Sequence, residues 1–594
     1  MRPRLKLLML SLSLFATAAT ALPALAQWRI DGAPVCSAVS NQRYPHMVGD
    51  AAGGAIVTWM DHRNGTNFDI YAQRVNGAGV PQWSGAGVAL CTAAGDQGIR
   101  PASGDQGSAT IVEDGAGGAI VTWYDSRGGF FTGDIYAQHV LASGAVDPVW
   151  PADGRALCTA AHDKVTPTIV GDGAGDAIVA WEDRRDGAEY HIYAQHVLAS
   201  GAVDPAWRPA DGRALCTAAT VQYGVTIVAD QAGGAIVTWQ DFRNSTTGYD
   251  IYAQHVLASG AVDPAWPADG RALCTAANSQ YSPTIVTDGA GGAIVAWYDY
   301  RGGIKYDIYA QHLLTSGTVD PAWPPDGRAL CTAAGDQDFP AIVGDGAGGA
   351  IVSWEDLRSG GDYDIYAQHV LSSGAVDPAW PADGWALCTA VNSQYYPTIA
   401  ADGSGGAVVA WRDQRSSATH IYAQHVLASG AVDPVWPVDG RALCTAANAQ
   451  DYATILGDGT GGAIVAWEDN RSTDTTGTDV YAQWVSPSGE VAAVPPAPAP
   501  ARLRLLAPYP NPLPTGSVTI LFDLPSNDRV SAQVLDLAGH RVRILAVDRD
   551  FSAGRQVLEW DGRSDGRARV PAGVYFIQVR VGVHADGRRL VLLE

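Results

Sequence analysis

A repeat governs what this chain of 594 residues can fold into. The phrase Asp288-Gly-Ala-Gly-Gly-Ala-Ile-Val-Ala-Trp297-Tyr-Asp299-Tyr-Arg301 recurs eight times in variant form, with its tryptophan at Trp59, Trp123, Trp181, Trp239, Trp297, Trp354, Trp411 and Trp467. Successive tryptophans lie 56 to 64 residues apart, and each is followed by Asp at the second position and Arg at the fourth. A fixed period of this size means stacked supersecondary units that share one continuous core.

The unit running from Pro283 to Thr332 shows the local logic. Pro283–Val286 is a short apolar strand, and Asp288–Gly292 is a turn whose glycines supply positive φ. Ala293–Trp297 is a second strand, rich in β-branched residues. Asp299–Tyr306 is a loop, Asp307–Leu314 a third strand, Ser316–Pro321 a turn and Arg328–Thr332 a fourth strand. No segment carries the 3.6-residue apolar period of a helix. Four antiparallel strands repeated radially make a β-propeller blade.

The two ends of the array are complementary. Trp28-Arg-Ile-Asp31-Gly-Ala-Pro-Val-Cys36 matches the end of a unit (Trp436, Asp439, Cys444) without its preceding strands, and the last unit stops near Gly489 without that final strand. The fold expected is therefore all-β: an eight-bladed propeller of four-stranded blades, closed by the N-terminal strand so that no sheet edge stays open. An open β-solenoid is the alternative, and it would need a cap at each end. Composition then divides the chain into residues 1–26, 27–490, 491–507 and 508–594.

Residues 1–26 have the form of a secretory signal: Arg2, Arg4 and Lys6, an apolar run from Leu7 to Ala21, and Ala24-Leu25-Ala26 before Gln27. No other apolar run is long enough to span a bilayer. The chain is expected to be exported, secreted or at the cell surface, as a monomer. With 38 Lys and Arg against 61 Asp and Glu, the formal charge of −23 argues against nucleic acid as a partner. The eight cysteines (Cys36, Cys91, Cys158, Cys216, Cys274, Cys331, Cys388 and Cys444) occur one per unit, and they lack the close spacing of a zinc site. They are expected to be buried strand residues.

Val494-Pro-Pro-Ala-Pro-Ala-Pro500 makes residues 491–507 a stiff linker. Beyond it, Ser517–Leu524, Val530–Leu537, Gln556–Trp560, Val574–Val579 and Arg589–Leu593 are expected strands of a small β-sandwich. Pro508-Tyr-Pro-Asn-Pro512, Val518–Pro525, Val534–Gly539, Trp560-Asp-Gly562, Gly573–Phe576 and Arg589–Leu593 resemble, in order, the boxes of the FlgD-like immunoglobulin domain. That domain is similar to the type A sorting domain of the type IX secretion system. The resemblance covers residues 508–594 and implies a tail that engages the secretion machinery and directs export across an outer membrane. More weakly, Ala72–Gly79 followed by Trp83 resembles the tryptophan docking motif of quinoprotein eight-bladed propellers. It implies that Trp28, Trp83, Trp150, Trp207, Trp266, Trp323, Trp380 and Trp436 pack between adjacent blades. The adjacent Cys pair that such enzymes place over the quinone is missing from this sequence.

Asp and Arg two residues apart on an extended chain share a side and can pair. Asp61 with Arg63, Asp125 with Arg127, Asp183 with Arg185, Asp241 with Arg243, Asp299 with Arg301, Asp356 with Arg358, Asp413 with Arg415 and Asp469 with Arg471 are therefore expected to be structural pairs. His139, His196, His255, His312, His369 and His425 are expected as partly exposed strand residues; spread around a ring, they cannot converge on one metal. No cofactor is expected. Calcium stays open because each Asp-Gly-x-Gly-Gly turn offers one carboxylate, although the ion wants six to eight oxygens. No catalytic residue stands out from the repeat.

What varies between units is the loop after each Arg and the connection between units, which emerge on one face. Phe130, Phe131, Asp186, Glu189, Tyr190, Tyr249, Tyr281, Tyr306, Tyr395 and Tyr396 are the candidate ligand residues of that face. The function expected is a binding module for a glycan or a protein. The alternatives are a polysaccharide-active hydrolase or lyase, a quinone-dependent enzyme, and a structural envelope component.

Overall fold

The computed structural model describes residues 28–98, 109–129, 132–472, 477–491, 504–505, 518–524, 528–551, 554–582 and 584–593. The signal-like segment and most of the Pro-rich linker lie outside them. The chain divides into two compact units after Ala492. Among the described residues all regular structure is strand, and no helix is long and apolar enough to cross a membrane.

The first unit is a propeller-like series of eight four-stranded antiparallel sheets, numbered here in chain order. Sheet five is representative: Gln280–Thr287, Ala293–Asp299, Asp307–Leu313 and Arg328–Cys331, hydrogen-bonded in that order. The second strand is buried along almost its whole length, as its Ala-Ile-Val-Ala-Trp sequence requires of a strand covered on both faces. The first strand begins three residues before the expected Pro283. Gln280 pairs with Asp299 and Tyr281 with Tyr298; the register then slips by one residue, so that Thr284 pairs with Ala296. The extra residue is a β-bulge, and Ser282 within it has φ of 47°.

Sheets one to seven are each built from consecutive strands. Sheet eight takes Gln450–Gly457, Ala463–Asp469 and Asp479–Val485 from one end of the unit and Ala33–Cys36 from the other. Ala33 pairs with Ala482 and Pro34 with Tyr481. The first strands of successive sheets touch in order, from Gln42–Gly49 through to Gln450–Gly457, and the last also touches the first. They are the inner strands of the series.

Neighbouring sheets share hydrophobic clusters. One joins Ile294, Ile308 and Leu330 of sheet five to Val352, Trp354 and Val370 of sheet six, with Trp323 between them. The indole of Trp323 lies over Gly374 of the next sheet, where an added Cβ would meet the ring at 2.7 Å, and donates to the Ser372 carbonyl (3.3 Å). Trp83, Trp150, Trp207 and Trp436 make the same reach at 2.9–3.1 Å. Trp28, which precedes the strand completing sheet eight, reaches Gly77 of sheet one at 3.0 Å.

The second unit has two antiparallel sheets over one core. Arg504–Leu505, Val518–Leu524 and Gly554–Trp560 form one; Arg541–Phe551, Asp528–Leu535, Gly573–Val581 and His584–Leu592 form the other. The core contains Val518, Ile520, Phe522, Val534, Trp560, Ile577 and Leu590. Arg541–Phe551 was not among the expected strands. It is an edge strand whose exposed and half-buried residues, with charges at Arg541, Arg543, Asp548, Arg549 and Asp550, carry little alternation to detect.

Candidate functional site: the aromatic mouth of the inner strands

Each Trp-x-Asp-x-Arg phrase ends a second strand in one constant arrangement. The indole N–H donates to Asp Oδ2 at 2.8–2.9 Å. The Arg guanidinium meets the same oxygen at 2.5–2.6 Å, and its carbon lies 3.6–3.9 Å from the centroid of a third-strand Tyr ring. It also reaches the Cys Sγ of the preceding sheet at 3.1–3.5 Å. The buried Asp is thus paired, hydrogen-bonded and capped by a cation–π contact. An arrangement present in all eight sheets is a fastening between neighbours.

The eight cysteines are free and buried. Burial raises the thiols, Cys36 to about 11 and Cys91, Cys158, Cys216, Cys331, Cys388 and Cys444 to about 12. Such thiols are not nucleophiles.

Asymmetry enters at the bulge that starts seven of the inner strands among the described residues. The bulge residue is Tyr44, Thr166, Gly224, Ser282, Phe339, Tyr396 or Tyr452, all at positive φ of 47° to 65°. Six of these are not glycine, and at Tyr44, Ser282 and Tyr396 the neighbouring sheet holds the strained amide. The middle residue of Trp-x-Asp in one sheet accepts the bulge N–H of the next: Glu468 from Tyr44 (2.7 Å), Glu182 from Gly224 (2.8 Å), Gln240 from Ser282 (2.9 Å) and Glu355 from Tyr396 (2.6 Å).

These positions and the adjoining loops bring aromatic rings into one arc across sheets four to seven. Centroid separations run Tyr249–Tyr281 5.6 Å, Tyr281–Tyr298 5.5 Å, Tyr298–Phe339 5.9 Å, Phe339–Tyr396 5.7 Å, Tyr396–Tyr395 6.2 Å and Tyr395–Tyr363 5.6 Å. Tyr306 joins through Tyr298 at 5.2 Å. Phe339 is 45% exposed and Tyr396 49%, so two rings of the arc present themselves to solvent. Further round, Tyr44 and Tyr452 meet edge to face at 4.8 Å.

Carboxyls lie beside the arc. Asp338 accepts from the Tyr363 hydroxyl at 3.2 Å. Burial, and next the charge of Asp336, push it up to about 6. Glu355 is pushed up to about 7, by burial first and then by Asp338. Arg412 and Asp451 form an ion pair at 2.9 Å. Glu355, which burial and then the charge of Asp338 hold near 7, can carry a proton at pH 7.

Of the residues expected on the ligand face, the structure brings together Tyr249, Tyr281, Tyr306, Tyr395 and Tyr396. Asp186 and Glu189 are exposed on their loop, and the charge of Glu189 acts on Tyr249. Tyr190 is 5% exposed and packs with Tyr124 and Val165, its hydroxyl donating to Asp163 at 3.3 Å. It packs in the core of that loop, with its ring 5.7 Å from that of Tyr223. Phe130 and Phe131 lie outside the described residues. Tyr298, Phe339, Tyr363, Asp338 and Glu355 belong to the arc but were not singled out from the sequence. Their signal was present: Tyr298 and Glu355 are the one variable position inside Trp-x-Asp, and Asp338 and Phe339 follow the recurring Gln of the inner strand.

At the opposite end of the sheets the strand histidines are 5–7% exposed, against the expectation of partial exposure. Two carboxylates bury them. His139, His255, His312, His369 and His425 each have Nε2 2.9–3.1 Å from the Asp of the glycine turn and Nδ1 2.8–2.9 Å from the Asp of the Val-Asp-Pro turn. In sheets one and eight Arg74 and Trp484 take that turn Asp instead, each at 2.9 Å.

No family model matches this chain, and no curated protein does. Among solved structures, an ulvan lyase of polysaccharide lyase family 25 aligns with a TM-score of 0.36 and 8% identity, covering 77% of this chain and 96% of its own. A protein of unknown function from Dyadobacter fermentans gives 0.34 and 8%, covering 76% and 98%. The Penicillium chrysogenum α-L-arabinanase bound to arabinobiose gives 0.32 and 11%, covering 55% and 93%. Likenesses this low carry no inference for the present chain.

Proposed function

We propose that residues 27–490 form a closed eight-bladed propeller that binds a glycan at the aromatic mouth of its inner strands. The observation that carries this reading is the arc from Tyr249 to Tyr363, with Phe339 and Tyr396 half exposed beside Asp338, Glu355 and the Arg412–Asp451 pair. Flat aromatic faces cover the apolar faces of sugar rings, and convergent charged groups fix hydroxyls. The mouth is also the place where near-identical sheets differ most.

The test is a glycan-binding screen of the full chain beside the Phe339→Ala/Tyr396→Ala double variant. Binding should fall at least tenfold in the variant. A wild-type chain that binds no glycan, or a variant that binds as well, refutes the reading; a protein ligand lost with the same two rings would replace it.

One observation favours a second reading. Asp338 and Glu355 interact, and both ionise near neutrality, as a general acid and base would. A polysaccharide-active enzyme would release new chain ends, and Asp338→Asn would abolish release without abolishing binding. The near-complete burial of Glu355 and its bond to the Tyr396 amide support a structural role and leave binding as the preferred reading.

For the second unit we propose an FlgD-like immunoglobulin-type sorting tail on an exported chain. Its sequence boxes and its two-sheet core support that reading. Fractionation of cells expressing the chain with and without residues 508–594 tests it, and unaltered localisation would refute it.

A further inference from the structure

Sheet three departs from the other seven at one position, and the departure changes the chemistry of its turn. The turn between first and second strands closes on glycine at Gly54, Gly118, Gly234, Gly292, Gly349, Gly406 and Gly462, but on Asp176 in sheet three. At each of those glycines an added Cβ would lie under 3.0 Å from Oδ2 of the turn Asp. Asp176 puts a Cβ there. The neighbouring carboxylate gives way: Asp172 Oδ2 lies 3.6 Å from His196 Nε2, against 2.9–3.1 Å in the five sheets with the same His and a glycine.

His196 Nε2 is left without a hydrogen-bond partner although the residue is 6% exposed. Oδ2 of Asp176 lies 4.0 Å from it. The ligand atoms of Asp172, Asp176 and His196 all fall within 4.8 Å of one another. The other oxygens are committed: Asp172 Oδ1 accepts from the amides of Ala174 (2.7 Å) and Asp176 (3.1 Å), and Asp176 Oδ1 from that of Ala199 (2.7 Å). One free oxygen from each carboxylate and one imidazole nitrogen therefore point at a common centre.

We propose that Asp172, Asp176 and His196 bind a divalent cation of the zinc class. Ligand atoms about 2.0–2.2 Å from such an ion are separated by roughly 3.3 Å, so the contacts to His196 at 3.6 Å and 4.0 Å would close by about 0.3 Å and about 0.7 Å on binding. His196 Nδ1 lies 2.9 Å from Asp204 Oδ2. A carboxylate there holds the proton on Nδ1 and turns the Nε2 lone pair to the metal, the outer-shell partner that metal-bound histidines have. Imidazole with two carboxylates suits Zn²⁺ ahead of Ca²⁺, which prefers a full oxygen shell. Asp176 also lines a groove of about 630 Å³ between the turns of sheets two and three. The site is at the far end of sheet three from the aromatic mouth and does not depend on it.

The experiment uses the full chain, stripped with a chelator and titrated with Zn²⁺ or Ca²⁺ by calorimetry, with Co²⁺ absorption as a second readout. Wild type should bind one equivalent of Zn²⁺ that Asp176→Gly weakens at least tenfold. The variant restores the turn of the other seven sheets, so it should fold, and its melting temperature in chelator checks that. Absence of Zn²⁺ binding in wild type, equal binding by the variant, or Ca²⁺ bound in preference to Zn²⁺ would each overturn the assignment.

Discussion

Glu355→Gln separates a structural from a chemical role for the acid beside the mouth, and its sign can be worked from the structure. Glu355 is 2% exposed and ionises at about 7 in place of 4.5, because burial disfavours its charge. A carboxyl raised in the folded state contributes stability that is complete below its unfolded pKa and lost as pH rises through the folded value. The loss therefore develops between about pH 4.5 and 7, and above pH 8 it amounts to about 3 kcal/mol. Glutamine keeps the oxygen that accepts from the Tyr396 amide; Gln240 of sheet four does that for Ser282 of sheet five. Glu355→Gln should thus unfold later than wild type at pH 8, with the advantage vanishing near pH 4.5. Thermal or denaturant unfolding of the full chain across that range measures it, following the transition of the first unit. A variant less stable at pH 8, or one with the wild-type pH dependence, would refute the reasoning. Loss of a catalytic activity alongside gained stability would favour the enzymatic reading.

Other perturbations test other parts of the fold. Gly374→Ala adds a Cβ at φ of 78° against the Trp323 indole and should destabilise the first unit by about 2–4 kcal/mol in denaturant unfolding. Asp241→Asn removes the charge that Arg243 meets at 2.6 Å inside a buried lock and should cost about 3 kcal/mol or more, with soluble yield as a second readout. The eight buried thiols should resist alkylation at pH 8 in the native chain and react together on unfolding, as mass spectrometry would count.

The repeat made the sheets legible because each second strand is a β-branched run closed by a Trp, and little else can be done with such a run eight times over. The aromatic arc was half legible. Tyr395 and Tyr396 stand out between units, but Phe339 and Tyr298 gain meaning only once a bulge turns one inner strand toward the next. Nothing local announces positive φ at Phe339 or Tyr452; each ring meets rings of adjoining sheets there. The histidine clamps were readable in a way that was missed. Every unit with the His has an Asp in its Val-Asp-Pro turn, whereas the units carrying Arg74 and Trp484 lack both. That co-occurrence within one chain is the trace of a contact. Asp176 was equally plain as a letter, but its consequence depends on the missing space beside Gly118 and its equivalents.

Sheet eight is assembled from both ends of its unit, with Ala33 paired to Ala482. Seven sheets can form as their strands leave the ribosome, but the eighth has to wait. Bringing together segments some 440 residues apart costs a free chain about 5 kcal/mol in loop-closure entropy. The seven sheets already stacked remove most of that cost by carrying one end round to the other. The seam is thus the last part to close and the first at which the unit would open under load. A circular permutant that carries Trp28–Cys36 after Glu490 through a short linker should lose the delay while keeping every pairing, and would show whether the wait is tolerated or used.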